Sequence, residues 1–269
     1  MVMTSVIPHR PMTSGEIYRG ARRVLAGNWR LLLGLGLAVS VVSQLLALPL
    51  RSTFQHDLRA TLVGASFSSG DTVRNVAAAG TANLLVAIVG FVLGLAVTAV
   101  TIVVAEASVT GRRVDPFRAA VPKLGRLVLM TLMLCGAAFG GFLAVFALMF
   151  AVGELGVLLA VAWLLVCVYF AVLFVFAAQA IVVEDLSVMD SLPRSKALVT
   201  GGWWRVFGIL VLTEAIFSVA SWLLALIFPD WLASTIVGAV STPVVACVIT
   251  LLYFDYRIRK EGSRTSRSA

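Results

Sequence analysis

The sequence predicts an all-α, polytopic membrane helix bundle of six transmembrane helices, with both ends on the inner side and short interfacial helices there. Three observations predict it. Of 269 residues, 60% are hydrophobic and 13% charged, whereas soluble domains carry about 25% charged residues; mean hydropathy is +1.01. Apolar runs long enough to span recur at 29–50, 82–105, 124–152, 157–183, 203–228 and 231–254, each meeting the need for roughly 20 apolar residues. Finally, of 21 Lys and Arg, all but Arg51, Arg59 and Arg74 fall on the side of the two termini. One missed or extra span would scramble that positive-inside pattern.

Residues 1–28 are a tail and an amphipathic helix. Thr13 and Glu16 form a capping-box pattern. Ile17, Ala21, Val24 and Leu25 then share one face, and Arg19, Arg22 and Arg23 the other. This split predicts a helix lying in the interface, apolar face in lipid; a helix packed on the inner loops is the alternative. The first span, 29–50, is about 33 Å long at helical rise. In the loop that follows, Phe54, Leu58 and Leu62 suggest a short outer helix, 66–70 a turn, and Asp71-Thr72 a cap for the second span.

Glu106 closes the second span. In the next inner loop Asp115-Pro116 is an N-cap with proline at the first helical position, and Phe117, Ala120 and Val121 make a small helix that Pro122 stops. Residues 153–156 form a tight outer turn between the third and fourth spans. The loop 184–202 holds a short polar helix with Asp190 as candidate cap. A Gly201-Gly202 joint leads into Trp203-Trp204-Arg205, and Gly27-Asn28-Trp29-Arg30 opens the first span in a similar way. The six-helix domain occupies 29–254, and 255–269 is a basic tail expected to be disordered.

The net charge of +8 reflects inner loops that orient the chain and meet anionic headgroups, so no nucleic-acid partner is expected. Trp29, Arg30, Arg126, Trp203, Trp204 and Arg205 are the expected membrane-interface anchors, aromatic rings at headgroup depth with snorkelling arginines. Cys135, Cys167 and Cys247 lie in apolar runs without metal-ligand spacing, and His9 and His56 lie in different loops. No cofactor and no metal are expected. No cleavable signal peptide is read at the start, because the first apolar run is long enough to span and ends in a poor cleavage sequence.

Glu214 is the acid deepest inside a span, where a carboxylate is costly. Pro243 shares its depth and frees the carbonyl of Ala239, with Ser241 and Thr242 beside it. Glu214, Ser241, Thr242 and Pro243 therefore form the candidate intramembrane polar site. Two readings fit: a neutral glutamic acid bonding helices together, or a proton or cation site in a wet cavity. Glu106 and Glu184 can pair with Arg126 and Arg205; a solvated rim is the alternative. Gly90-x-x-x-Gly94 and Gly136-x-x-x-Gly140 are helix-packing signals. No serine elbow, His-Glu-x-x-His, phosphate loop or deep acid pair is present, so no catalytic residue is expected and the chain reads as a non-enzyme.

Pro11-Met12-Thr13-x-x-Glu16-Ile17 with Asn28-Trp29-Arg30, and Val183-Glu184 through Ser195 with Gly201-Gly202-Trp203-Trp204-Arg205-Val206-Phe207-Gly208, resemble signatures of actinobacterial six-span proteins. These are similar to the membrane domain accompanying glycerophosphodiester phosphodiesterases. The catalytic barrel of that family has no counterpart here, so the resemblance implies a membrane module and not the hydrolase activity. The expected role is a membrane scaffold or accessory module in the cell membrane. The alternative is a transport component, such as the membrane subunit of an ATP-driven exporter, with 112–121 docking a cytosolic ATPase. Expected partners are the lipid bilayer and its anionic headgroups, and another membrane protein or that ATPase.

Overall fold

A computed structural model describes residues 13–62, 70–111, 114–152 and 155–265, with side chains for 13–45, 88–111, 114–148, 156, 158–229 and 231–260. Among them are nine helices and no strand: α1 (Ser14–Gly27), α2 (Trp29–Leu62), α3 (Gly70–Thr110), α4 (Pro116–Val152), α5 (Leu155–Leu173), α6 (Ala177–Val183), α7 (Val188–Val199), α8 (Trp203–Ala225) and α9 (Asp230–Thr265). In hydrocarbon every backbone polar group must be satisfied within its own segment, which is why apolar runs of this length become helices. Among the described residues five stretches are long and apolar enough to cross a membrane: Ile88–Thr110, Pro116–Leu148, Leu158–Val183, Trp203–Ala225 and Trp231–Lys260. The first expected span lies on α2, whose described side chains end at Leu45.

Several expected boundaries move. α2 continues unbroken to Leu62, so the separate outer helix is part of it. α3 is already helical at Gly70, which puts Asp71 inside the first turn. Asp115 Oδ1 accepts from the amides of Phe117 and Arg118 at 3.2 and 3.5 Å, as a cap should. The helix it starts passes straight through Pro122 into the third span. That proline removes one hydrogen bond near the helix start, too little to halt a helix with a long apolar run ahead of it. The tail is helical to Thr265 rather than irregular. The fourth span is two helices, α5 and α6, with a turn at 174–176. Residues 1–12, 63–69, 112–113, 153–154 and 266–269 lie outside the described residues, and with them parts of the expected tails, outer turns and ATPase-docking loop.

The chain divides into two compact units, one of 1–28, 98–216 and 244–269, the other of 29–97 and 217–243. In the first, α1 is fastened to its neighbours. Glu16 Oε2 accepts from the Thr13 amide at 2.8 Å. Tyr18 Oη lies 2.8 Å from Thr213 Oγ1 and donates to the Ile209 carbonyl at 3.3 Å. Ile17, Ala21 and Val24 are buried, and a Cβ on Gly20 would lie 3.0 Å from Leu251 Cδ1. The apolar face of α1 thus meets protein, not lipid, which corrects the interfacial reading. Burying Ile17 and Val24 contributes about 1.5–3 kcal/mol each.

In the second unit, Gln44 Nε2 donates to Ser234 Oγ at 3.0 Å, and a Cβ on Gly90 would sit 3.3 Å from Ser43 Oγ. Gly36 approaches α9 so closely that a Cβ there would lie 2.3 Å from the Ala239 carbonyl oxygen.

Candidate functional site

The densest polar chemistry lies in the first unit, where α5 breaks. At the turn, Val175 N reaches the Val172 carbonyl at 3.4 Å and Phe174 N the Phe170 carbonyl at 3.0 Å. Two groups drop out of the helix ladder, and one hydroxyl from α7 answers both. Phe176 N donates to Ser195 Oγ at 3.1 Å, and Ser195 Oγ donates to the Leu173 carbonyl at 2.8 Å. Ser195 is fully buried, so each bond replaces one that water cannot supply. α6 follows with Ala177, Ala180, Ile181 and Val182 buried. Its Gln179 is also buried, and among the described residues its Oε1 has no hydrogen-bond partner.

The chain turns at Asp185, which takes φ +57°, a conformation that aspartate tolerates better than most residues. Ser187, and not Asp190, is the N-cap of α7: its Oγ accepts from the Asp190 amide at 3.2 Å and donates to Asp190 Oδ2 at 2.6 Å. At the far end Gly201 takes φ +89°, which needs glycine. Gly202 leaves no room for a Cβ, which would lie 2.2 Å from Tyr256 Oη. The two glycines therefore have different causes. Gly27 in the matching stretch of the first span has open space around it, so the two junctions are not built alike.

Three carboxylates organise the rim. Glu184 accepts from Arg194 Nε and Nη2 at 2.9 and 2.8 Å and from the Tyr253 hydroxyl, with Arg257 Nη1 at 3.7 Å. Burial raises its pKa, but the bonds from Arg194 and Tyr253 and the charges of Arg194 and Arg257 outweigh that and hold it below 4.5. Asp185 accepts from Arg126 Nη2 at 2.6 Å, with Lys123 Nζ at 4.0 Å. The bond and charge of Arg126, with Lys123, lower its pKa. Asp255 is fully buried between Arg205 Nη1 at 2.9 Å and Arg259 Nε at 3.0 Å. Arg126 also donates to the Asp185 and Leu186 carbonyls at 3.0 and 3.1 Å. Lys260 caps α7 through the carbonyls of Ala197 and Thr200.

The expected anchors divide into two groups. Trp29 and Trp204 are exposed, and Arg30 lies over the Trp29 ring at 5.5 Å. Trp203 instead donates Nε1 to the Tyr169 carbonyl at 3.3 Å and stacks on Phe207 at 5.0 Å. Arg126 and Arg205 are ion-paired, so the rim is not a set of solvated charges. Arg126 meets Asp185 and Arg205 meets Asp255 of the tail, while Glu184 takes Arg194 and the tail's Arg257.

Of the expected intramembrane polar site, Glu214 lies in the first unit and Ser241, Thr242 and Pro243 in the second. Glu214 is exposed, and among the described residues its carboxylate has no hydrogen-bond partner. Thr242 Oγ1 donates to the Gly238 carbonyl at 3.1 Å, within its own helix. Pro243 is buried inside α9, Ser241 is half-buried, and the Ala239 carbonyl that Pro243 frees lies against Gly36. Sequence reasoning missed Arg194, Ser195, Tyr253, Asp255 and Tyr256. The only signal was local: an acidic pair at Glu184-Asp185 ten residues before Arg194, and Asp255 one helical turn before Arg259.

The family model described as "Domain of unknown function (DUF7847)" matches residues 17–258. No curated protein and no solved structure matches the chain.

Proposed function

The chain belongs to that family of unknown-function domains, and on the geometry of the rim we propose that it is a membrane scaffold or accessory module without a catalytic site. The observation carrying this reading is that the rim's carboxylates are engaged in fastening helices. Glu184 ties α7 to α9, Asp185 ties the turn to α4, and Asp255 ties α8 to α9. A general acid or base needs a carboxylate facing a substrate; these face guanidinium groups. The likeness to the membrane domain of glycerophosphodiester phosphodiesterases supports the same role. The location is the cell membrane, with both termini on the cytoplasmic side, supported by the one-sided placement of Lys and Arg. Affinity purification in mild detergent, with partners and lipids identified by mass spectrometry, tests it. Stoichiometric recovery of a membrane protein is expected; recovery of the chain alone would count against a scaffold.

One observation favours the transport reading. A helix broken inside a span, with a buried amide oxygen at Gln179 that lacks a partner among the described residues, is the arrangement from which transporters build sites. Co-purification of an ATPase, lost when 112–121 is replaced by a glycine-serine linker, would establish that reading over the first.

A further inference from the structure

α4 and α5 lie side by side but do not close fully. On α4 the cavity is lined by Leu134, Cys135, Ala137 and Ala138, three of them small. At one end the Trp163 indole sits over Gly141, where a Cβ would lie 2.0 Å from the ring. Beyond that contact the small side chains leave a cavity of about 590 Å³, bounded at the other end by Phe170 and Phe174. Its size falls within the range of small-molecule sites, roughly 300–1,000 Å³. Its named walls are apolar, without a carboxylate, amide or guanidinium.

The depth of this groove follows from α5 and α8. Along α5 the outward side chains are exposed through Tyr169 and Phe170, then Val172 and Leu173 are covered. At this level Trp203 stacks on Tyr169 at 5.8 Å, and Tyr169 meets the Phe170 ring at 5.6 Å. Trp204 beside it is 78% exposed. Tryptophans at the start of a span mark headgroup depth. From Tyr169 at that level to Trp163 the groove runs about 9 Å at helical rise, inside the roughly 15 Å half-thickness of a hydrocarbon core of about 30 Å. An apolar slot that opens at the aromatic belt and runs into one leaflet from there matches the upper part of a phospholipid chain.

We propose that the groove between α4 and α5 holds one acyl chain of a bilayer phospholipid, with its headgroup at the level of Trp203 and Trp204. The site rests on the chain lying in a bilayer and goes beyond the scaffold reading. The rival occupant is a second copy of the chain, because Gly136 and Gly140 on the adjacent face of α4 are exposed and open.

The test uses the full chain in phosphatidylglycerol–phosphatidylcholine vesicles containing a phospholipid with a diazirine-bearing acyl chain. Adducts are mapped by peptide mass spectrometry. Labelling of the groove peptides about fivefold above the outward face of α8 at Val211, Leu212 and Ile216 is expected, where a tenfold preference would correspond to about 1.4 kcal/mol. Ala138→Phe, which fills the slot from an exposed position, is expected to bring the two faces to parity; Val166→Trp provides the second filling variant. Equal labelling of both faces in the unaltered protein would overturn the groove while leaving the membrane reading intact. Absence of labelling on both faces would overturn both. Efficient oxidative cross-linking of Cys135 between copies, with the groove unlabelled, would assign the surface to a second copy and overturn the lipid site.

Discussion

The hydroxyl of Tyr256 donates to the Gly202 carbonyl at 2.9 Å, and a Cβ added to Gly202 would lie 2.2 Å from that same hydroxyl oxygen. Close approach and hydrogen bond are one contact, pinning the tail end of α9 to the joint where α8 begins. Gly202→Ala is therefore expected to lower the melting temperature of the detergent-purified protein, with a cost of about 1–3 kcal/mol from overpacking. Tyr256→Ala should relieve part of that cost when combined with Gly202→Ala. A Gly202→Ala protein melting at the unaltered temperature would show that the joint yields freely.

Asp255 is the acid on which Arg205 and Arg259 converge. Removing one partner of a buried pair costs about 3–5 kcal/mol; both arginines here are partly exposed, so screening by water brings the expected loss nearer about 1–2 kcal/mol. Asp255→Ala should destabilise by that amount, and Arg205→Ala in the same background should add less than it does alone. Additive losses in a double-mutant cycle would mean that the two groups do not act together.

Glu184 makes stability depend on acidity. Its folded pKa lies below its ordinary value of 4.5, because Arg194, Tyr253 and Arg257 outweigh the opposing effect of burial. A depressed carboxyl stabilises fully above its unfolded pKa and loses that contribution as pH falls through the folded value. Thermal melts should therefore show the unaltered protein losing stability more steeply than Glu184→Gln below pH 4.5. At pH 7 the variant should be the less stable of the two, and the curves should converge in acid. Parallel curves would remove Glu184 from the account.

Ser195 answers both groups released by the break between α5 and α6. Ser195→Ala leaves the Leu173 carbonyl and the Phe176 amide buried without that partner, at about 1–3 kcal/mol each. The expected signature is a lower melting temperature together with faster hydrogen exchange at Phe176. Unchanged exchange there would mean that water or a backbone shift replaces the hydroxyl.

The solvent of this chain, its helical content and most of its helix starts are properties of residue order alone. Long apolar runs need hydrocarbon around them, and backbone in hydrocarbon must bond to itself, so helices follow. Thr13 with Glu16, and Asp115 with Pro116, mark starts because caps act within one turn. The tertiary structure decided which groups meet. The heptad of α1 says that Ile17, Ala21 and Val24 share a face, but the hydrophobic effect has no direction, and protein rather than lipid covers them. An arginine's charge likewise names no partner. Arg205 meets Asp255 across 50 positions of chain, and the Ala239 carbonyl freed by Pro243 lies against Gly36, because contacts between distant segments depend on how whole helices pack, which short-range spacing does not encode.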